Sequence, residues 1–137
     1  MTITQRVKTS IMDILTEAVP SPSITVVDAK QRATPILPFI AVDVASVSSY
    51  SDDLPQVQRV AMNIVLSVHA GDEDDNDVED WIASIESTLQ QANDVSSNQD
   101  DGVIIYSWTY SGSAQEWDDS VLLINFSVDC LAAKAGI

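Results

Sequence analysis

The stretch VQRVAMNIVLSVHAGDEDDNDVEDWIASIESTLQQA, from Val57 to Ala92, decides the fold. From Val60 the apolar residues recur at every second position (Val60, Met62, Ile64, Leu66, Val68), and the intervening Ala61, Asn63, Ser67 and His69 are small or polar. A period of two is that of a strand with one buried face. Asp72, Glu73, Asp74, Asp75, Asp77, Glu79 and Asp80 follow within nine positions. Val78, Ile82, Ile85 and Leu89 then step by three and four, which predicts an amphipathic helix after Asn76 with these residues on its buried face. Asn76, with Glu79 three positions on, has the form of a capping box. Acids near a helix N-terminus are stabilised by its dipole, by about 0.3 to 1 kcal/mol each when exposed.

Upstream, Ile3, Val7, Ile11, Ile14, Leu15 and Ala18 predict a first helix, capped by Thr2 or Thr4 and ended by Pro20 and Pro22. Ser23 to Val27 reads as a short strand, followed by a loop carrying Lys30, Gln31 and Arg32. Pro35 and Pro38 mark loop or sheet edge, because proline cannot donate to a ladder. From Phe39 a second strand sets Ile40, Val42 and Val44 against Ala41 and Asp43, and a turn over Ser49 to Gln56 pairs it antiparallel with Val60 to Val68.

Downstream, Gln90 to Asp101 reads as loop. The next strand places Ile104, Tyr106, Trp108 and Tyr110 on one side and Val103, Ile105, Ser107 and Thr109 on the other. Ser111 to Asp119, with Gly112, is expected as a hairpin loop, and Val121 to Cys130 as the return strand. Leu131 to Ile137 is expected as a flexible tail or docking arm. Together these elements predict one α+β domain over residues 1–137: a mainly antiparallel sheet of four to five strands with two helices packed on one face. The other face would carry Asn63, Ser67, Ser107, Thr109, Asn125 and Ser127 interleaved with Val65, Ile105 and Leu123, a mixture suited to burial against another subunit.

The chain has 137 residues, 45% of them apolar, enough for a core despite a formal charge of −15. With 6 Lys and Arg against 21 Asp and Glu, its field repels phosphate and disfavours nucleic-acid binding. Arg6, Lys8, Lys30 and Arg32 lie within the first 32 residues, so the subunit is dipolar and can join a basic patch to an acidic one on a neighbour. Cys130 is the only cysteine, which excludes an intrachain disulfide and a zinc cluster of cysteines, and its phase with Leu122, Ile124, Phe126 and Val128 predicts burial. MTITQRVKTS lacks the build of a signal peptide and no apolar run approaches the ~20 residues of a membrane span, so a soluble protein made inside the cell is expected.

Asp72, Asp74 and Asn76 alternate as in the first half of a calcium loop, but Asp77 stands where glycine is required and Ala83 where a bidentate glutamate is required. We therefore expect no metal, and read the acids as a solvated, helix-capping face. His69, the single histidine, has no nucleophile motif or ligand spacing around it, and the four glycines never cluster into a phosphate loop. No catalytic residue and no cofactor are predicted. Trp81 and Trp108 fit core packing, and Trp117, in acidic surroundings, an interface position.

The element order carries a resemblance. The N-terminal helix ending in proline, LPFI at Leu37 to Ile40, RVAMNIVLSV at Arg59 to Val68, DVEDWIASIESTL at Asp77 to Leu89, and the final hairpin with Trp117 and LLINFSV at Leu122 to Val128 together resemble the tail terminator proteins of tailed bacteriophages. The resemblance implies a virion protein of the tail or neck, assembled in the host cytoplasm. It would form a homohexameric ring on the head-proximal end of the tail tube, stop tube growth and present a surface to a neck or connector protein. Genomic DNA would pass through such a ring without specific binding, and six chains would carry a formal charge of −90. On that reading the candidate interface residues are Arg6, Lys8, Lys30, Arg32, Asp72, Asp74, Asp75 and Trp117. The alternatives are another head-to-tail connector or stopper ring protein, or an acidic DNA-mimic inhibitor.

Overall fold

The computed structural model describes residues 3–19, 24–30, 37–51, 54–69, 75–90 and 103–134. Its elements run α1 (Ile3–Ala18), β1 (Thr25–Asp28), β2 (Phe39–Ser51), β3 (Leu54–His69), α2 (Asp75–Gln90), β4 (Val103–Asp118) and β5 (Val121–Lys134). The strands form one sheet in the order β1-β2-β3-β5-β4. Only β1 and β2 pair in parallel; the other neighbours are antiparallel. The fold is α+β, with both helices on one face.

The core forms where the two periodicities meet. Val60, Met62, Ile64, Leu66 and Val68 of β3, with Ile124, Phe126, Val128 and Cys130 of β5, are buried against Val7, Ile11 and Leu15 of α1 and Ile85 and Leu89 of α2. Each such side chain contributes roughly 1.5–3 kcal/mol by leaving water. β3 and β5 lie at the centre of the sheet, paired without interruption from Val57 opposite Ala133 to His69 opposite Val121. Helix α1 stops at Ala18, where Pro20 in the sequence disfavours a helical conformation for the residue before it.

Several sequence expectations are corrected. β2 and β3 extend through much of the expected turn, to Ser51 and from Leu54. β1 lies at Thr25–Asp28 rather than from Ser23 to Val27. Helix α2 begins at Asp75, which puts Asn76 inside its first turn and not at the cap. The expected hairpin loop from Ser111 is strand: β4 continues to Asp118, and only Asp119 and Ser120 turn the chain. Leu131 to Lys134 are the end of β5, with Ala132 and Ala133 buried, so a flexible tail does not begin at residue 131.

Two bulges in β4 explain why its alternation misleads. Ile105 pairs with Ala132 and Ser107 with Leu131, leaving Tyr106 as the extra residue. The phase flips there, so Ile105 and Trp108 both face the helices, and Tyr106 is 61% exposed. Ser111 is the second extra residue, followed by Gly112 at φ +117°, a conformation open to glycine and strained for side-chain-bearing residues. Beyond it Ser113, Gln115 and Trp117 lie opposite Phe126, Ile124 and Leu122, on the helix-covered face.

Candidate interaction surfaces

The two edges of the sheet differ in charge and build. At the β1 edge, Lys8 sits on the inner side of α1, its stem buried and its ammonium 2.9 Å from Asp28 Oδ2. The Lys30 amide donates to Asp28 Oδ1 at 2.9 Å, closing a turn in which an aspartate bonds the backbone two residues on. That amide bond holds the Asp28 carboxyl below its ordinary range; partial burial opposes it, and the Lys8 ammonium reinforces it. Gln5, Lys8, Thr9, Met12 and Asp28 line a groove of about 250 Å³ between α1 and β1.

At the β4 edge, α2 is clamped by its neighbours. Trp108 Nε1 donates to the Leu89 carbonyl at 2.7 Å, satisfying one of the acceptors that a helix C-terminus leaves open. Ser113 Oγ donates to Glu86 Oε1 at 3.2 Å. The Tyr110 hydroxyl lies beside that pair, shielded and without a hydrogen bond of good geometry; burial pushes its pKa up, Ser113 opposes, and Glu86 adds to the rise. From Ser113 to Asp118 every residue of β4 is exposed. Trp117 is 63% exposed, and Glu116, Asp118 and Asp119 surround it with negative charge. Asp119 turns the hairpin at φ +59°, which aspartate tolerates better than most residues.

The face turned away from the helices is the third surface. Ala41, Asn63, Val65, Leu123, Asn125 and Ser127 are half-buried there, and Ser67 is buried. Val65, Leu123 and Asn125 line a depression of about 160 Å³ against β4, in which the Asn125 amide oxygen is shielded and has no donor among the described residues. A second depression, about 180 Å³, lies among Arg59, Ser107, Thr109, Asp129, Cys130 and Leu131. Burial pushes the Cys130 thiol up to about 12, with Asp129 adding to the rise, so the sulfur packs as a small hydrophobe and not as a nucleophile. His69 ends β3 on this face, its Nε2 3.3 Å from Ser120 Oγ.

The structure gathers some of the sequence-derived candidates and separates others. Lys8 and Lys30 meet at Asp28, whereas Arg6, half-buried and two residues from Lys8 along α1, does not line the groove. Trp117 stands at the opposite edge of the sheet. Asp75 is the first residue of α2. Arg32, Asp72 and Asp74 lie outside the described residues. Sequence reasoning missed Asp28, the residue that organises the basic edge. Its signal was an aspartate two positions before Lys30, a turn-forming spacing that a search for catalysis or metal passes over. It also missed the groove face Gln5, Thr9, Met12, although those positions step by four and three.

Among the described residues no group of three or more His, Cys, Asp or Glu side chains is placed to hold a metal ion, and no helix is long and apolar enough to cross a membrane. No protein-family model matches the chain, and no curated protein matches it.

Proposed function

We propose that the chain is a structural virion protein that caps the head-proximal end of a phage tail tube as a homohexameric ring. In that role it ends tube polymerisation and joins the tail to a neck or connector protein, and DNA passes its acidic surface without binding. The reading makes the protein non-catalytic, places it in the tail or neck of the virion, and has it assembled in the host cytoplasm.

One observation carries this reading. A single sheet is covered by helices on one face only, and its two edges are unlike: a short basic edge at β1 and a long acidic, aromatic edge at β4. Unlike edges join head to tail, and a head-to-tail contact whose rotation closes gives a ring. The half-apolar open face adds surface for neighbours. The element order also keeps the sequence of helix, strands, acidic helix and final hairpin on which the resemblance to tail terminators rests.

Native mass measurement and negative-stain imaging of the purified chain, alone and with tail tubes, test the proposal. Rings of six seated at one end of the tubes are expected, with tube length fixed on addition. A stable monomer that ignores tubes and captures a basic DNA-binding protein would support the DNA-mimic reading instead.

A further inference from the structure

We infer that a second copy of this chain seats the indole of Trp117 in the groove between α1 and β1, so that the acidic tip of one β4–β5 hairpin meets the basic edge of the next copy. The inference deepens the reading of the chain as a self-assembling subunit and names the contact.

Four features lead there. Trp117 is 63% exposed on a strand whose other large apolar side chains near α2, Trp108 and Tyr110, pack against the core. Tryptophan is enriched among the buried anchors of protein interfaces, and covering an exposed indole removes a large apolar area from water. The groove supplies a matching volume. A cavity of about 150 Å³ takes up benzene, so about 250 Å³ among Gln5, Lys8, Thr9, Met12 and Asp28 has room for an indole. Met12 gives the groove an apolar, polarisable side chain suited to contact with an aromatic ring.

Orientation agrees. The register of β4 with β5 places Trp117 opposite Leu122, on the face covered by the helices, and α1 stands on that face at the other edge of the sheet. Two sheets laid edge to edge in the same orientation, β4 of one beside β1 of the next, therefore bring Trp117 to the α1 side. The outer edge of β4 is unpaired among the described residues, and from Gly112 to Asp118 it runs in even register with neither lysine nor proline. Lysine, proline and bulges are the usual devices that prevent strand addition. Both bulges of β4 lie before this segment.

Charge decides between partners. Two copies of a chain at −15 repel each other, and an acidic edge laid against its own twin would add to the repulsion. Glu116, Asp118 and Asp119 laid against this edge meet Lys30 and a Lys8–Asp28 pair that is neutral as a whole, which is less repulsive than a second set of hairpin acids. The contact is thus head to tail, with a knob and a hole on every subunit.

The test uses the full-length chain and two variants with one half of the contact each. Trp117→Ala removes the knob, and Thr9→Glu fills the groove with a longer, acidic side chain at a helix position that favours glutamate. Each variant alone should be monomeric by sedimentation velocity with an unchanged circular-dichroism spectrum, its self-association weakened roughly thirtyfold or more. An equimolar mixture should give a one-to-one dimer that grows no further, because a single intact knob and a single intact groove remain. Assembly that survives in both variants overturns this contact and leaves the ring intact. Loss of assembly in both without a mixed dimer also overturns it, in favour of a symmetric contact. A wild-type chain that stays monomeric at millimolar concentration, with and without tail tubes, overturns self-association and the ring together.

Discussion

The two faces of the sheet are built from alternate residues of the same strands, yet they differ in kind. On the helix-covered face Ile64, Leu66, Ile124 and Phe126 are fully buried, whereas on the other face Asn63, Val65, Leu123 and Asn125 are half-buried. Successive residues of a strand share backbone, pairing and neighbours, so the contrast isolates what the helices contribute. The covered face is specified by hydrophobic period, since a register slip of one residue would turn Val60, Met62, Ile64, Leu66 and Val68 to water. The open face keeps apolar residues half-exposed, and the proposed contact between copies would draw on that composition.

The largest expected effect tests that contrast directly. Ile64→Ala should cost about 2–5 kcal/mol, because it empties a fully buried site in the core. Val65→Ala, one residue along the same strand, should cost under about 1 kcal/mol in the isolated subunit. Urea unfolding at neutral pH reads both. Equal losses would show that the open face is packed within the subunit, and the comparison between the faces would fail.

A smaller effect is expected where a helix end meets the sheet. Trp108→Phe keeps an aromatic ring at the rim of the core but removes the Nε1 donor to Leu89. The loss should be about 0.5–1.5 kcal/mol, with faster amide exchange confined to the last turn of α2. Faster exchange throughout β3 and β5 would mean that the indole supports the whole sheet and not the end of one helix.

How much of this was legible in the sequence follows from which forces are local. The period-two run at Val60–Val68 and the helical stripes at Val7–Leu15 and Val78–Leu89 are direct images of burial, and they gave the α+β class and the side on which the helices pack. Cys130 was placed correctly for the same reason. β4 was misread because a bulge at Tyr106 changes the face of the residues from Ser107 to Tyr110 and a second at Ser111 changes it back, and a bulge depends on register with β5 and not on local composition. Ser111 and Gly112 looked like a turn for the same cause; glycine with positive φ serves a bulge as well as a loop. Of the candidate interface, Trp117 was visible as an aromatic in acidic surroundings. The groove it faces in our inference was not, because it joins α1 to β1 across some twenty residues, with Lys8 and Asp28 meeting only in the fold.

The smallest expected effect concerns that ion pair and its pH dependence. Asp28 has its pKa lowered in the folded state, first by the Lys30 amide and then by Lys8, against partial burial. A carboxyl with a depressed folded pKa stabilises the fold above its unfolded value, here the ordinary 3.8, and that contribution disappears as pH falls through the folded value below it. Asp28→Asn keeps an oxygen acceptor for the Lys30 amide and removes only the charge facing Lys8. Because the Asp28 side chain is 40% exposed, solvent screens the pair, and the neutral-pH loss should stay near ~1 kcal/mol or less. Urea midpoints of wild type and Asp28→Asn should therefore differ slightly at pH 7 and converge once pH has dropped well below 3.8, where both side chains are neutral. A gap that persists at pH 2 would mean that shape, not charge, couples α1 to the β1 edge. In that case the electrostatic contrast between the two edges would be carried by Lys30 and the hairpin acids alone.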